Sequence, residues 1–184
     1  MEFESTKLGG VFLVKPPRFG DDRGFFSETF RHNLFTEKTG ANVQFVQDNF
    51  SYSKHRGTVR GLHYQAPPFA QGKLVRCSRG EIMDVAVDTR PGSSTYGQHV
   101  GAKLTADNGH QLWVPAGFLH GFATLTDDCE VAYKVTNYYS KECDGNVLWN
   151  DPALGIDWGI TDAEAVLSDK DKVAPLLADW TNPF

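Results

Sequence analysis

Through much of the chain apolar residues recur at every second position, and clusters of Gly, Pro, Asn or Asp separate the alternating stretches. A period of two sends successive side chains to opposite faces, so each stretch has one face suited to a core and one suited to water. Strands are predicted over Val59–Gln65, Lys73–Arg79, Glu81–Asp88, Gln111–Val114, His120–Leu125 and Glu130–Tyr139, with RPGSS, PAG and TDD in the turns. Helical periodicity is scarce. Phe30–Thr39 is the best helix candidate, closed by Gly40 where a left-handed C-cap residue is favoured, and a shorter helix is predicted near Asp171–Leu177. Many short strands with a few short peripheral helices predict an all-β chain, a β-sandwich or jelly-roll barrel, and no internal repeat or low-complexity tract points elsewhere.

The chain has 184 residues, 40% of them apolar, which is enough for one core and short for two domains. Residues 1–184 are therefore read as a single domain, with Pro16-Pro17 and Pro67-Pro68 marking loops inside it. A net charge of −5 provides no general field for nucleic acid, so any bound anion must be gripped by a local cluster. Cys77, Cys129 and Cys143 are odd in number, far apart and never spaced as C-x-x-C, which argues against a disulfide framework or a zinc knuckle and for a reducing cytoplasm. The first residues, MEFESTKLGGVFLV, are acidic where a signal peptide is basic, and no stretch is long and apolar enough for a membrane span. A soluble, unexported protein without nucleic-acid or membrane partners is expected.

Against this background three ionisable side chains fall on apolar stripes. Simple alternation puts His63 and Gln65 on one face with Val59 and Gly61, Lys73 with Val75 and Cys77, and Tyr133 with Val131 and Val135. Each has a structural reading when taken alone: a satisfied core histidine, a strand-end lysine that snorkels, a core aromatic with its hydroxyl at the rim. Their occurrence together on separate strands favours a site. The spacings Gly57-x5-His63-x-Gln65 and Gly109-x5-Pro115-x-Gly117-x2-His120 resemble the two motifs of the cupin superfamily, a jelly-roll barrel that commonly holds a metal. Where metal-binding cupins supply a second histidine and a glutamate in the first motif, this chain has Gln65 and the residues around Phe69. Two imidazoles, His63 and His120, without a carboxylate or thiolate make a poor site for a divalent ion, so no metal and no cofactor are expected. An inward histidine is then free to act as an acid or base.

Imidazole, ammonium and phenol in one dry cavity suit the removal of a proton beside a ketone. A histidine is far too weak a base for a bare carbanion: a mismatch of about 10 pKa units corresponds to about 14 kcal/mol. The enolate must be stabilised, and a fixed cation such as Lys73 aimed at its oxygen contributes about 3–4 kcal/mol. Inverting the carbon also needs an acid on the opposite face, for which Tyr133, neutral at pH 7, is suited. His63 lacks an orienting carboxylate in its own segment, so one must come from elsewhere in the chain.

Nearly end to end, the sequence closely resembles the dTDP-4-dehydrorhamnose 3,5-epimerase family. The resemblance runs through DDRGFFSE (21–28), FVQDNFSYS (45–53), RGLHYQ (60–65), QGKLVR (71–76), GEIMDVAVD (80–88), WVPAGFLHGF (113–122), YKVTNYYS (133–140), LWNDPALGIDW (148–158) and LSDKD (167–171). It implies a cupin-type barrel that inverts C3 and C5 of dTDP-4-dehydro-6-deoxy-D-glucose in dTDP-L-rhamnose biosynthesis. Carried over residue by residue, it makes His63 the proton acceptor, Asp171 its carboxylate partner, Lys73 the enolate stabiliser, Tyr133 the proton donor and His120 a further residue near the sugar. Arg23 and Arg60 are implied as diphosphate contacts, since guanidinium forks match adjacent phosphates. Glu28 and the run Gln47, Asp48, Asn49 are implied as nucleoside or sugar contacts, Tyr139 as the aromatic stacked near thymine, and Asp144 and Lys170 as secondary contacts. Asp144 departs from the longer glutamate of many relatives. Alternation alone leaves Asp169 and Asp171 both open as the partner of His63; the family register favours Asp171. The resemblance also implies a homodimer, with an exchanged N-terminal strand completing the nucleotide site.

Three other functions compete. An epimerase inverting only C3 of a related sugar would share the fold, although the retained Tyr133 favours double inversion. A metal-dependent cupin oxygenase or isomerase is disfavoured by the depleted ligand set. A non-catalytic nucleotide-sugar sensor gives no reason for His63, Lys73 and Tyr133 to occur together.

Overall fold

In the computed structural model, which describes residues 1–184, the alternating stretches become thirteen strands: β1 (Glu2–Ser5), β2 (Phe12–Lys15), β3 (Phe19–Asp21), β4 (Gly24–Phe26), β5 (Gln47–Ser53), β6 (Val59–Gln65), β7 (Lys73–Arg79), β8 (Glu81–Asp88), β9 (His99–Thr105), β10 (Gln111–Val114), β11 (Phe118–Thr124), β12 (Cys129–Val135) and β13 (Asp144–Asn146). Two short α-helices accompany them, α1 (His32–Thr39) and α2 (Asp169–Lys172). One antiparallel sheet has the order β1-β2-β10-β7-β12-β5 and the other β13-β6-β11-β8-β9, while β3 and β4 form a separate ribbon. The two sheets enclose a core that includes Val75 and Cys77 of β7, Leu112 of β10, Val131 of β12, Ile82 and Ala86 of β8, and Phe118 and Phe122 of β11. This is the expected jelly-roll sandwich. No helix is long and apolar enough to cross a membrane.

Part of each outer face is covered as well. Val59, Leu62, Val85, Val87 and Leu119 of the five-stranded sheet pack under Val147, Trp149, Leu154 and Trp158 of the C-terminal segment. On the other side Phe35 of α1 meets Val14, Leu74 and Trp113, its ring 5.0 Å from that of Trp113 at near right angles. The C-terminal cover brings the segment bearing α2 against β6, and so brings chemistry to the cavity.

β6, β7, β8 and β10 span the residues that alternation predicts. β12 stops at Val135 and not at Tyr139, because the following backbone turns away to be held by side chains: Gln71 Nε2 donates to the Asn137 carbonyl at 2.8 Å and Gln65 Nε2 to the Tyr138 carbonyl at 3.1 Å. Gly40 closes α1 in the left-handed region at φ 70°, as expected, while Arg31 is still extended, so Phe30 lies before the helix. The second helix begins at Asp169 and not at Asp171, because the Ser168 hydroxyl caps it by accepting the Asp171 N–H. β5 escapes the hydrophobic pattern because the pattern is inverted there. Its inward row is Gln47, Asn49 and Ser51, paired with Val135, Tyr133 and Val131, and its outward row carries the exposed Phe50 and Tyr52.

In β6 simple alternation is corrected. His63 lies opposite His120 of β11 while Arg60 lies opposite Phe122, so β6 holds one residue more than its partner between the two pairs, a β-bulge. Val59 and Leu62 consequently face the outer cluster, whereas Arg60 and His63 both border the space between the sheets. Val59 and His63 do not share a face. Gly61 sits in the bulge at φ 150°, and a Cβ there would stand 2.5 Å from Gly121 Cα. Only glycine allows the strands to approach at this point.

Candidate active site

Between the sheets lies a cavity of about 390 Å³ whose walls include Ser51, Arg60, His63, Lys73, His120, Phe122, Tyr133, Ser168 and Asp171. A recess of about 290 Å³ shares His63, Lys73 and Tyr133 with it and adds Gln47, Asn49, Gln71, Tyr139, Asp144 and Lys170. His63 and His120 come from adjacent strands of the five-stranded sheet, Lys73 and Tyr133 from adjacent strands of the other. The proton-handling groups thus face one another across the space between the sheets.

His63 Nε2 lies 2.6 Å from Asp171 Oδ1, with Asp171 almost fully buried. With Nε2–H donating to the carboxylate, the lone pair of Nδ1 is the basic position. The second oxygen of Asp171 accepts from Ser168 Oγ at 2.8 Å. Burial pushes the Asp171 carboxyl up, but bonds from His63 and Ser168, with the Asn146 amide, outweigh it and hold the group below its ordinary value. Asp169, the competing residue, points outward with its side chain fully exposed and pairs with Lys172 at 3.0 Å. A helical turn, in place of the strand alternation that would have put both aspartates on one face, separates them.

Burial lowers Lys73 to about 8, and the nearby carboxylates of Asp144 and Asp84 only partly offset it. Neither carboxylate pairs with Lys73: Asp144 holds Lys170 at 2.5 Å and Asp84 holds His120 at 2.9 Å. The Lys73 ammonium is left for a ligand. Burial likewise depresses His120 despite Asp84, favouring neutral imidazole, and raises the phenol of Tyr133 despite Arg60, keeping it protonated. The cavity therefore offers a base, a cation and a neutral acid, the set required for enolisation and reprotonation.

Other residues singled out in the sequence divide into two groups. Arg60, Gln47, Asn49, Tyr139, Asp144 and Lys170 border the cavity or its recess, with Arg60 steadied by Ser53 Oγ at 3.2 Å and the Tyr52 carbonyl at 3.0 Å. Asp48 lies on the outward row of β5 and pairs with Lys134 at 2.9 Å. Arg23, in the turn of the β3–β4 ribbon, is 90% exposed in its side chain and paired with Asp21, and Glu28 pairs with Arg31. These last three do not line the cavity of their own chain.

Sequence reasoning missed Asp84, Ser168 and Ser51. Asp84 is wholly buried and orients His120 as Asp171 orients His63. Its signal was present in EIMDVAVD, where an aspartate shares a strand face with Ile82 and Ala86. No group of three or more His, Cys, Asp or Glu converges as a metal site, and the Nε2 atoms of both cavity histidines are already engaged by carboxylates.

Comparison with known proteins agrees with this chemistry. The protein-family model described as dTDP-4-dehydrorhamnose 3,5-epimerase matches residues 5–179. A curated relative of that name from Sinorhizobium fredii is 55% identical over 184 residues, covering 100% of this chain and 93% of the relative. Another, from Salmonella typhimurium, is 52% identical over 94% of this chain and 93% of its own. Among solved structures, the dTDP-6-deoxy-D-glucose-3,5-epimerase of Legionella pneumophila, in complex with dTDP-4-keto-L-rhamnose, superposes with a TM-score of 0.93 at 43% identity, covering 98% of this chain and 94% of that one.

Proposed function

The chain belongs to the dTDP-4-dehydrorhamnose 3,5-epimerase family, and from that premise we propose how its cavity performs the reaction. It is a carbohydrate epimerase that inverts C3 and C5 of dTDP-4-dehydro-6-deoxy-D-glucose, giving dTDP-4-dehydro-L-rhamnose for dTDP-L-rhamnose biosynthesis. In the proposed mechanism His63 takes the proton from the carbon beside the C4 ketone, and the electron pair moves onto the C4 oxygen. The Lys73 ammonium, unpaired in the protein, receives that oxygen. Tyr133 returns a proton to the opposite face of the carbon and the ketone re-forms. Once solvent has taken the proton from His63 and returned one to Tyr133, the same steps at the second carbon complete the double inversion without a metal.

The observation that carries this reading is the placement of His63 with its buried Asp171, free Lys73 and neutral Tyr133 on one cavity. Arg60 suits the diphosphate, Tyr139 the thymine ring, and Gln47, Asn49, His120, Asp144 and Lys170 the sugar and nucleoside.

The whole chain acts as one catalytic domain in the cytoplasm, where the three free cysteines remain thiols. It works as a homodimer. Phe19, Phe25 and Phe26 of the β3–β4 ribbon and Phe50 on the edge strand β5 are exposed aromatics that a second copy would cover. In the same assembly Arg23 and Glu28, which miss the cavity of their own chain, would serve the partner's. Sedimentation equilibrium yielding a monomer mass would refute the pairing.

Incubation with dTDP-4-keto-6-deoxyglucose in heavy water, followed by NMR, tests the reaction. Deuterium at both C3 and C5 is expected; entry at C3 alone would assign the single inversion, and entry at neither would refute the epimerase reading.

A further inference from the structure

Three buried side-chain oxygens lack a hydrogen-bond partner: Thr36 Oγ1, Asp84 Oδ2 and Ser51 Oγ. Buried polar atoms in folded proteins are nearly always satisfied, so each asks for an explanation. Thr36 lies on α1, away from the cavity. Asp84 already spends its other oxygen on His120 and is sealed from solvent. Ser51 alone of the three borders the cavity. Its companions on the inward row of β5 are occupied: Gln47 Nε2 donates to Asn49 Oδ1 at 2.8 Å, and Ser53 Oγ accepts from Arg60 Nε. Across β12, Ser51 faces Val131 while Asn49 faces Tyr133, so the hydroxyl stands one inward step along the sheet from the phenol.

We propose that Ser51 is a substrate-recognition residue whose hydroxyl bonds a ring hydroxyl of the hexose when the sugar fills the cavity. The inference rests on the epimerase reading above and deepens it. A 4-keto-6-deoxyhexose joined through C1 to a diphosphate keeps only the C2 and C3 hydroxyls on its ring. Either suits a serine, which donates and accepts. No bond within the protein fixes the Ser51 side chain, so a turn about Cα–Cβ brings its oxygen to the sugar. Being neutral, Ser51 leaves the enolate oxygen to Lys73, and it adds discrimination for a hydroxylated ring that an apolar wall could not.

The test uses full-length wild type and Ser51→Ala with the parent sugar nucleotide and its 2-deoxy and 3-deoxy analogues, the last followed by deuterium entry at C5. On the parent, kcat/KM of the variant should fall roughly tenfold, the scale of one buried hydrogen bond. Its melting temperature should be unchanged or raised, since no bond within the protein is lost. On one of the two deoxy sugars the variant and wild type should turn over alike, and that analogue identifies the hydroxyl. An equal loss on all three sugars, or no loss on the parent, overturns the assignment. A wild-type chain that exchanges no proton of the parent sugar sinks the epimerase reading itself, and Ser51's role with it; wild-type turnover with an indifferent variant sinks only the role of Ser51.

Discussion

Asp171 and His63 stand 108 positions apart in the chain, yet their side chains meet at 2.6 Å between Oδ1 and Nε2. The carboxylate comes from the first turn of α2 and the imidazole from β6, so the pair proposed as the base forms only when the C-terminal cover is docked on the sheet. His63→Asn should abolish deuterium exchange at C3 and C5 with the fold intact. Asp171→Asn should keep the geometry but weaken the preference for the right tautomer, lowering kcat by about 10²- to 10⁴-fold. Circular dichroism alongside NMR exchange checks both, and full exchange in either variant would remove that residue from the role.

As the proposed enolate stabiliser, Lys73 is expected to set the alkaline limit. With burial lowering it to about 8, the free enzyme loses the ammonium as pH rises through that value, so kcat/KM should decline with a midpoint near 8. A bound enolate favours the ammonium, so kcat should decline at higher pH than kcat/KM. For stability the sign is opposite: the folded value lies below the ordinary 10.5, so the unfolded chain holds more protons in between and stability rises with pH from about 8 to 10.5. Lys73→Met should therefore be more stable than wild type at pH 7, by a margin that shrinks through this window in denaturant titrations.

As the proposed proton donor, Tyr133 should separate the two halves of the reaction. Its raised phenol, caused by burial, remains a proton donor at neutral pH. Tyr133→Phe should still remove protons at His63 but return them slowly or to the wrong face. Exchange without inversion, or product inverted at one carbon only, is expected by NMR; wild-type rate and product would dismiss the donor role.

The bulge in β6 is held by glycine. Gly61→Ala would force a Cβ to within 2.5 Å of Gly121 Cα at a φ that side chains rarely adopt. A loss of at least about 2 kcal/mol is expected in chemical denaturation, with activity falling because Arg60 and His63 flank the distorted residue. Wild-type stability would mean that the strands part at little cost.

Much of the barrel was legible because alternation is local: a side chain's face follows from its neighbours two positions away, which is why β7, β8 and β10 can be read by eye. Lys73 and Tyr133 were found as charges or hydroxyls on apolar stripes by the same logic. β5 was obscured because it lines a polar cavity, so its aromatics point outward and the expected contrast is reversed. His63 was found, but with the wrong face-mates, since a single bulged residue shifts the parity of everything beyond it.

By itself the sequence determined the sandwich, the helix stop at Gly40, the family and the residue types of the chemistry, because these depend on local period, backbone preference and ordered motifs. Tertiary structure alone decided that Asp84 holds His120, that Lys73 stays unpaired, and that Arg23 and Glu28 lie outside their own cavity, and it set Asp171, which alternation could not choose and the family register favoured, on His63 with Asp169 turned to solvent. The physical reason is range. Hydrogen bonds and ion pairs act over a few ångströms in space between groups many residues apart, and their partners follow from how sheets and covers dock rather than from any pattern along the chain.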